Sequence, residues 1–144
     1  MNKKILFYLL ILCVGVTSAQ DSGCDLPGNS VYLNNNDIWY NVDFDIGGFQ
    51  WDIDGATVSG ASGGDAQTAG FIVQGAGTTV IGFSFAGSFV PAGCGTLTSL
   101  DLIGDVTGLN NVIFSNSGGI EESICYDISE GNCAMYFPEA NVLL

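Results

Sequence analysis

The stretch Ile38-Trp39-Tyr40-Asn41-Val42-Asp43-Phe44-Asp45-Ile46-Gly47-Gly48-Phe49-Gln50-Trp51-Asp52-Ile53-Asp54-Gly55 decides the fold. From Ile38 to Ile46 the residues Ile38, Tyr40, Val42, Phe44 and Ile46 alternate with Trp39, Asn41, Asp43 and Asp45. A period of two puts one set on a buried face and the other on an open one, so this is a half-buried strand. After Gly47 and Gly48 the alternation resumes, with Phe49, Trp51 and Ile53 opposite Gln50, Asp52 and Asp54. Asp54-Gly55 then reads as a turn.

The same texture extends downstream. Short apolar runs at 56–58, 71–73, 80–85, 97–103, 112–114 and 124–128 are rich in β-branched or aromatic residues and bounded by Gly, Asn, Asp or Ser. Each reads as a strand. No window carries a helical stripe, and 21 glycines make a poor helix former of the chain. About nine strands at this spacing predict an all-β fold, a two-sheet β-sandwich of jelly-roll type in which one sheet's apolar face covers the other's. The glycine clusters at 60–64 and 75–77 are spaced like strand connections, and no internal repeat or linker interrupts them.

The N-terminus reads as an export signal over residues 1–20. Lys3 and Lys4 precede an apolar run from Ile5 to Val16, and the small residues Thr17, Ser18 and Ala19 follow. That run is too short to span a bilayer. Cys13 follows Leu12 and not a small residue, which argues against a lipidated cysteine. Residues 21–144 are then expected to form a single β-sandwich domain, secreted or held at the cell surface.

Charge narrows the partners. The chain has 15 Asp and Glu, two Lys and Arg together, and no His; the two cations are Lys3 and Lys4. Beyond the signal every charged side chain is acidic, so internal salt bridges are impossible. Nucleic acid and anionic membranes, which are held largely by Lys and Arg, are excluded as partners. The acidity serves solubility in a sticky β protein, or suits a salty or calcium-rich medium.

Of the five cysteines, Cys24, Cys94, Cys125 and Cys133 follow the signal. An even number in an exported chain points to disulfides. Cys125 and Cys133 flank a short acidic stretch able to close as a hairpin, which leaves Cys24 to staple the N-terminus to Cys94. A zinc site would want closer spacing and histidine.

The runs Gly48-Phe49-Gln50-Trp51-Asp52-Ile53, Val80-Ile81-Gly82-Phe83-Ser84-Phe85, Gly93-Cys94-Gly95-Thr96-Leu97 and Asn111-Val112-Ile113-Phe114-Ser115 together resemble a cohesin-like domain in order and spacing. The resemblance covers roughly residues 31–117. It implies a nine-stranded jelly roll related to carbohydrate-binding modules, placed outside the cell and gripping a dockerin-like partner through one face of a sheet. The cysteines depart from the usual cohesin pattern, and no binding residue is carried over.

Catalysis has little to work with. Ser-His-Asp and Cys-His arrangements need an imidazole, and lysine bases and arginine clamps are equally missing. A carboxylate pair acting on a glycoside survives, with Asp43 and Asp45 or Asp52 and Asp54 two residues apart, but alternating solvated strand carboxylates give the same spacing. No enzyme is expected. Calcium suits carboxylates better: Asp52, Asp54 and Asp65 near glycine-rich loops are the candidate ligands, with Asn34, Asn35, Asn36 and Asp37 as a second cluster. Asx-rich turns use these residue types too. Trp39 falls on the polar side of its strand and is the candidate ligand contact, for a sugar ring or a protein; packing beneath loops is the more ordinary reading. Trp51 shares a face with Phe49 and Ile53 and is expected in the core. The expected function is therefore a non-catalytic interaction or adhesion module of cohesin-like type binding a dockerin-like or other surface protein. The alternatives are a carbohydrate-binding module for a polysaccharide and a structural subunit of an extracellular layer or filament.

Overall fold

The computed structural model describes residues 22–127 and 134–136. The expected export signal, Cys133 and the last eight residues lie outside that range. Among the described residues the chain is all-β: β1 (Ser30–Asn34), β2 (Asp37–Val42), β3 (Ile46–Ser62), β4 (Ile72–Ala76), β5 (Thr79–Phe83), β6 (Gly93–Asn116), β7 (Glu121–Glu122), β8 (Ile124–Asp127) and β9 (Ala134–Tyr136). A 3₁₀ turn at Gly23–Asp25 and a single-turn helix α1 (Gly64–Thr68) complete the elements. All nine strands are hydrogen-bonded into one sheet in the order β4-β5-β3-β6-β2-β1-β8-β9, with β7 added to β6. Here the structure differs from the expected pair of separate sheets, because β6 bridges what would have been two. Its residues Gly93 to Ser99 pair with β2, and Ser99 to Asn116 pair with β3.

Two sequence boundaries move for the same reason. Asp54-Gly55 is no hairpin turn; it lies inside the 17-residue strand β3. Asp54 pairs with Gly108 and Ala56 with Gly104, so one residue of β3 faces three of β6. Gly55 sits at φ 84°, and a Cβ there would lie 2.3 Å from the Asp105 carbonyl oxygen. A bulge inserts residues without ending the pairing, and it shifts the side-chain alternation by one. Phe49, Trp51 and Ile53 point into the core before it; Ala56 and Val58 do so after it. Conversely, the alternation from Ile38 to Ile46 is broken at Asp43–Asp45, where β2 ends and β3 begins. Side chains make the corner: Asn29 accepts from the Asp43 N–H at 3.0 Å, and Asp45 accepts from the Ala92 N–H at 2.9 Å.

The core gathers residues from β1, β2, β3, β5, β6 and β8, so the sheet curls its apolar face around one cluster. Its centre is a set of rings. Phe49 stacks on Trp51 at 4.9 Å between centroids and on Phe71 and Phe114 at 5.9 Å each. Each such pair contributes about 0.5–1.5 kcal/mol beyond area burial. Gly82, the cross-strand partner of Phe49 on β5, makes room: a Cβ on it would lie 2.1 Å from the ring. The Cys24–Cys94 disulfide, the expected pairing, spans 70 residues and ties the 3₁₀ turn to the start of β6. A loop of that length closed in the unfolded chain is worth about 4 kcal/mol in the chain-entropy account. Cys125 is also disulfide-bonded; Cys133, its expected partner, lies outside the described residues.

Because neighbouring rings hold Phe49 in place, Gly82→Ala should lower unfolding free energy by about 1–3 kcal/mol, as overpacking does. Chemical denaturation measures this, and unchanged stability would show the ring is free to move aside.

Candidate functional site

The strands that bury their inner residues leave an outer face, and the register says what lies on it. Across the sheet, Ile72 pairs with Phe83, Phe83 with Gly48, Gly48 with Ser115, and Ser115 with Glu121. The next row runs Gln74, Ile81, Gln50, Ile113. The third holds Ala76, Thr79, Asp52 and Asn110. Paired residues share a face, so these rows form one surface spanning β4, β5, β3 and β6.

That surface carries an apolar patch on β4 and β5. Ile72 is 37% exposed and Ile81 40%. Phe83 is half-buried beside them, and Ile113, also half-buried, lies across Gln50 of β3 from Ile81. Just beyond β5, Phe85 is 85% exposed and meets Phe83 edge-on at 5.0 Å. Isolated exposed apolar residues are ordinary, but these adjoin one another on neighbouring strands. Carboxylates lie at the margins: Glu121 beyond Ser115, Asp52 one row past Ile81, and Asp54 two residues further along β3.

The margin carboxylates are oriented by β6 and β5. Asp52 accepts from Asn111 Nδ2 at 2.9 Å and from Thr79 Oγ1 at 2.7 Å, and Asp54 accepts from Asn110 Nδ2. The Asn111 hydrogen bond, with the Thr79 bond second, holds the Asp52 carboxyl below its ordinary range. That stabilisation is present above the ordinary carboxylate pKa and is lost as pH falls through the lowered one. Asn111 itself takes φ 49°, which brings its side chain round in an irregular part of β6.

The expected calcium ligands are not brought together. Asp52 and Asp54 stand on β3 beside Asn110 and Asn111, whereas Asp65 opens α1 and accepts the Tyr40 hydroxyl at 2.6 Å. Among the described residues no three acidic or cysteine side chains gather as a metal-binding group. The second cluster makes the two-residue turn between β1 and β2, with Asn35 at φ 56° and Asp37 accepting from Ser99 Oγ at 2.6 Å. Trp39 does not lie open: it is 8% exposed, with its ring 6.2 Å from that of Tyr32, because β2 buries both of its faces at 38–40. Trp51 is fully buried, as expected. The outer-face residues Ile72, Ile81 and Phe85 were missed by sequence reasoning; placing Ile81 opposite the polar positions Gln50 and Gln74 requires the strand register.

Comparison with protein-family models, with curated proteins and with solved structures gave no match. Among the described residues no helix is long and apolar enough to cross a membrane.

Tyr40 supplies a pH signature. Burial first, then the hydrogen bond to Asp65 and its charge, push the Tyr40 hydroxyl well above its ordinary 10.0. The folded state favours the neutral phenol, so its contribution is complete below the unfolded pKa and is lost as pH rises through the folded one. Denaturant midpoints of the wild type should fall between about pH 10 and 12, and Tyr40→Phe should flatten that fall. Parallel profiles for the two proteins would contradict the assignment.

Proposed function

We propose that this chain is a non-catalytic interaction module of cohesin-like type, exported from the cytoplasm, that docks a protein through the outer face of β4, β5, β3 and β6. The observation that carries the reading is the apolar patch on the β4–β5 side of that face, Ile72, Ile81, Phe83 and Phe85, with the carboxylates Asp52, Asp54 and Glu121 on the same face. Protein interfaces combine an apolar centre with a charged rim. The residue types favour a protein over a polysaccharide: sugar rings stack on the faces of flat open aromatics, whereas Trp39 and Trp51 are buried and this face mixes isoleucine with a Phe83–Phe85 pair packed edge-on.

Charge defines the partner further. The rim is acidic and Lys3 and Lys4 are the sole cations in the sequence, so a complementary surface carries Lys or Arg around an apolar centre. A second copy would bring like charge against like charge. The Cys24–Cys94 disulfide supports an oxidising compartment. The lack of His and of any Lys or Arg beyond Lys4 supports recognition over catalysis.

Immobilised wild-type protein should retain a protein from the extracellular and cell-surface fraction of its source. Ile81→Glu should weaken that retention about tenfold or more, as the loss of a central anchor does, while Gln67→Glu on α1 adds the same charge without effect. Equal retention by both variants, with both folded by circular dichroism, would exclude this face.

A further inference from the structure

A concavity lies between α1 and the segment that leads into β6. It is a cleft of about 490 Å³ whose walls include Tyr40, Asp65, Ala69, Phe89, Pro91 and Cys94. The hydrogen-bonded Tyr40–Asp65 pair is part of its lining. The glycine at 95, φ 152°, lets Asp65 settle there: a Cβ on Gly95 would lie 3.0 Å from Asp65 Oδ2.

The walls accept hydrogen bonds and scarcely donate them. Tyr40 gives its hydroxyl proton to Asp65 Oδ2. Thr68 gives its own to the Gly64 carbonyl at 3.2 Å. The backbone N–H of Val90 goes to Ile46, that of Ala69 to the Asp65 carbonyl, and that of Ala92 to the Asp45 side chain. Pro91 has no N–H to give. The half-buried Asp65 carboxylate therefore has the Tyr40 hydroxyl as its side-chain donor, and a sequence whose cations are Lys3 and Lys4 offers no cation among the described residues to pair with it. A carboxylate partly removed from water gains most from a cationic donor. Above it, Phe89 is 43% exposed and, with Pro91 and Ala69, gives an apolar wall along which an alkyl stem can lie.

We propose that this cleft binds a primary alkylammonium group of lysine side-chain chemistry, with the ammonium on Asp65 and the methylene stem against Phe89 and Pro91. An anionic ligand would meet the uncompensated carboxylate, and a purely apolar one would desolvate it further with the Tyr40 hydroxyl bond and no positive charge to offset the loss. The inference does not depend on the outer-face interface, since it concerns different residues and is tested on the isolated protein.

The test is an amide chemical-shift titration of the purified protein with n-butylammonium chloride and with Nα-acetyl-lysine N-methylamide, each against sodium chloride at matched ionic strength. Saturable shifts at Ala69, Ala92 and Gly93 are expected with both probes if lysine side chains are the source, and with butylammonium alone if small free amines are. The Nε-acetylated lysine derivative, which keeps the stem and loses the charge, should bind at least about tenfold more weakly. Asp65→Asn, whose amide oxygen still accepts from Tyr40, should lose affinity to the same extent. The proposal is overturned if neither amine gives saturable shifts there, if the neutral derivative binds equally well, or if a neutral oligosaccharide alone moves these amides. Because the charged and neutral probes are compared on the wild type, a folding defect in Asp65→Asn would leave the test intact.

Discussion

The antiparallel pairing of β3 with β6 is the constraint on which the rest depends. It runs from Ile46 opposite Asn116 to Ser62 opposite Ser99, and the rest of the sheet extends outward from this pair, through β5 to β4 on the β3 side and through β2, β1 and β8 to β9 on the β6 side. Strand pairing this long tends to twist out of plane, and bulges absorb the twist while keeping the hydrogen-bond ladder going. The largest of these, around Gly55, also resets the alternation, so a strand with apolar residues at odd positions in one half and even positions in the other buries both sets. A ladder without it would turn Ala56 and Val58 outward and bring Thr57 and Ser59 inward.

The aromatic cluster follows from that geometry. Phe49 and Trp51 on β3 meet Phe114 on β6, and Phe71 closes the group from the connection between α1 and β4. The arrangement has a cost: Trp51 Nε1 is buried without an acceptor among the described residues. An unpaired buried donor costs about 1–3 kcal/mol, which ring stacking and full burial of the indole offset. What the inner face gains in packing, the outer face shows as its complement. Flattening Phe49 across Gly82 leaves β5 thin at its centre on the core side, while on its outer side Phe83 stands opposite Ile72 of β4 and Ile81 opposite Gln74.

Much of the architecture was legible in residue pattern. Period-two alternation marks β2 and the first half of β3, and the cysteine pairing of Cys24 with Cys94 follows from what the closer pair leaves over. The breakdowns were local and physical. Asp54-Gly55 has the composition of a hairpin turn, but a glycine at positive φ serves a bulge equally well, and what separates the two is whether a partner strand continues opposite, which local sequence does not encode. The same holds for β6, whose 24 residues read as separate strands at 97–103 and 112–114 because the apolar pattern lapses between those runs while the pairing with β3 continues. Trp39 follows the polar alternation of its strand, but β2 is covered on both faces, so the period-two rule misplaced it. The candidate interface was the least legible part. Its large apolar residues come from β4, β5 and β6, and only the strand register sets Ile72 beside Phe83 and puts Ile81 in the neighbouring row. The carboxylates read as calcium ligands proved to be spread between β3 and α1, each held by Asn, Thr or Tyr donors from neighbouring elements, there being no Lys, Arg or His among the described residues.

Amide hydrogen exchange followed by nuclear magnetic resonance tests the central claim most directly. If the β3–β6 pairing with its ring cluster holds the sheet together, the amides of residues 49–52, enclosed between β5 and β6, should exchange slowest and at the rate set by global unfolding, while those of the edge strand at 72–76 exchange far sooner. Equal exchange of the two groups, or protection concentrated in β1 and β2 with 49–52 exposed, would contradict it.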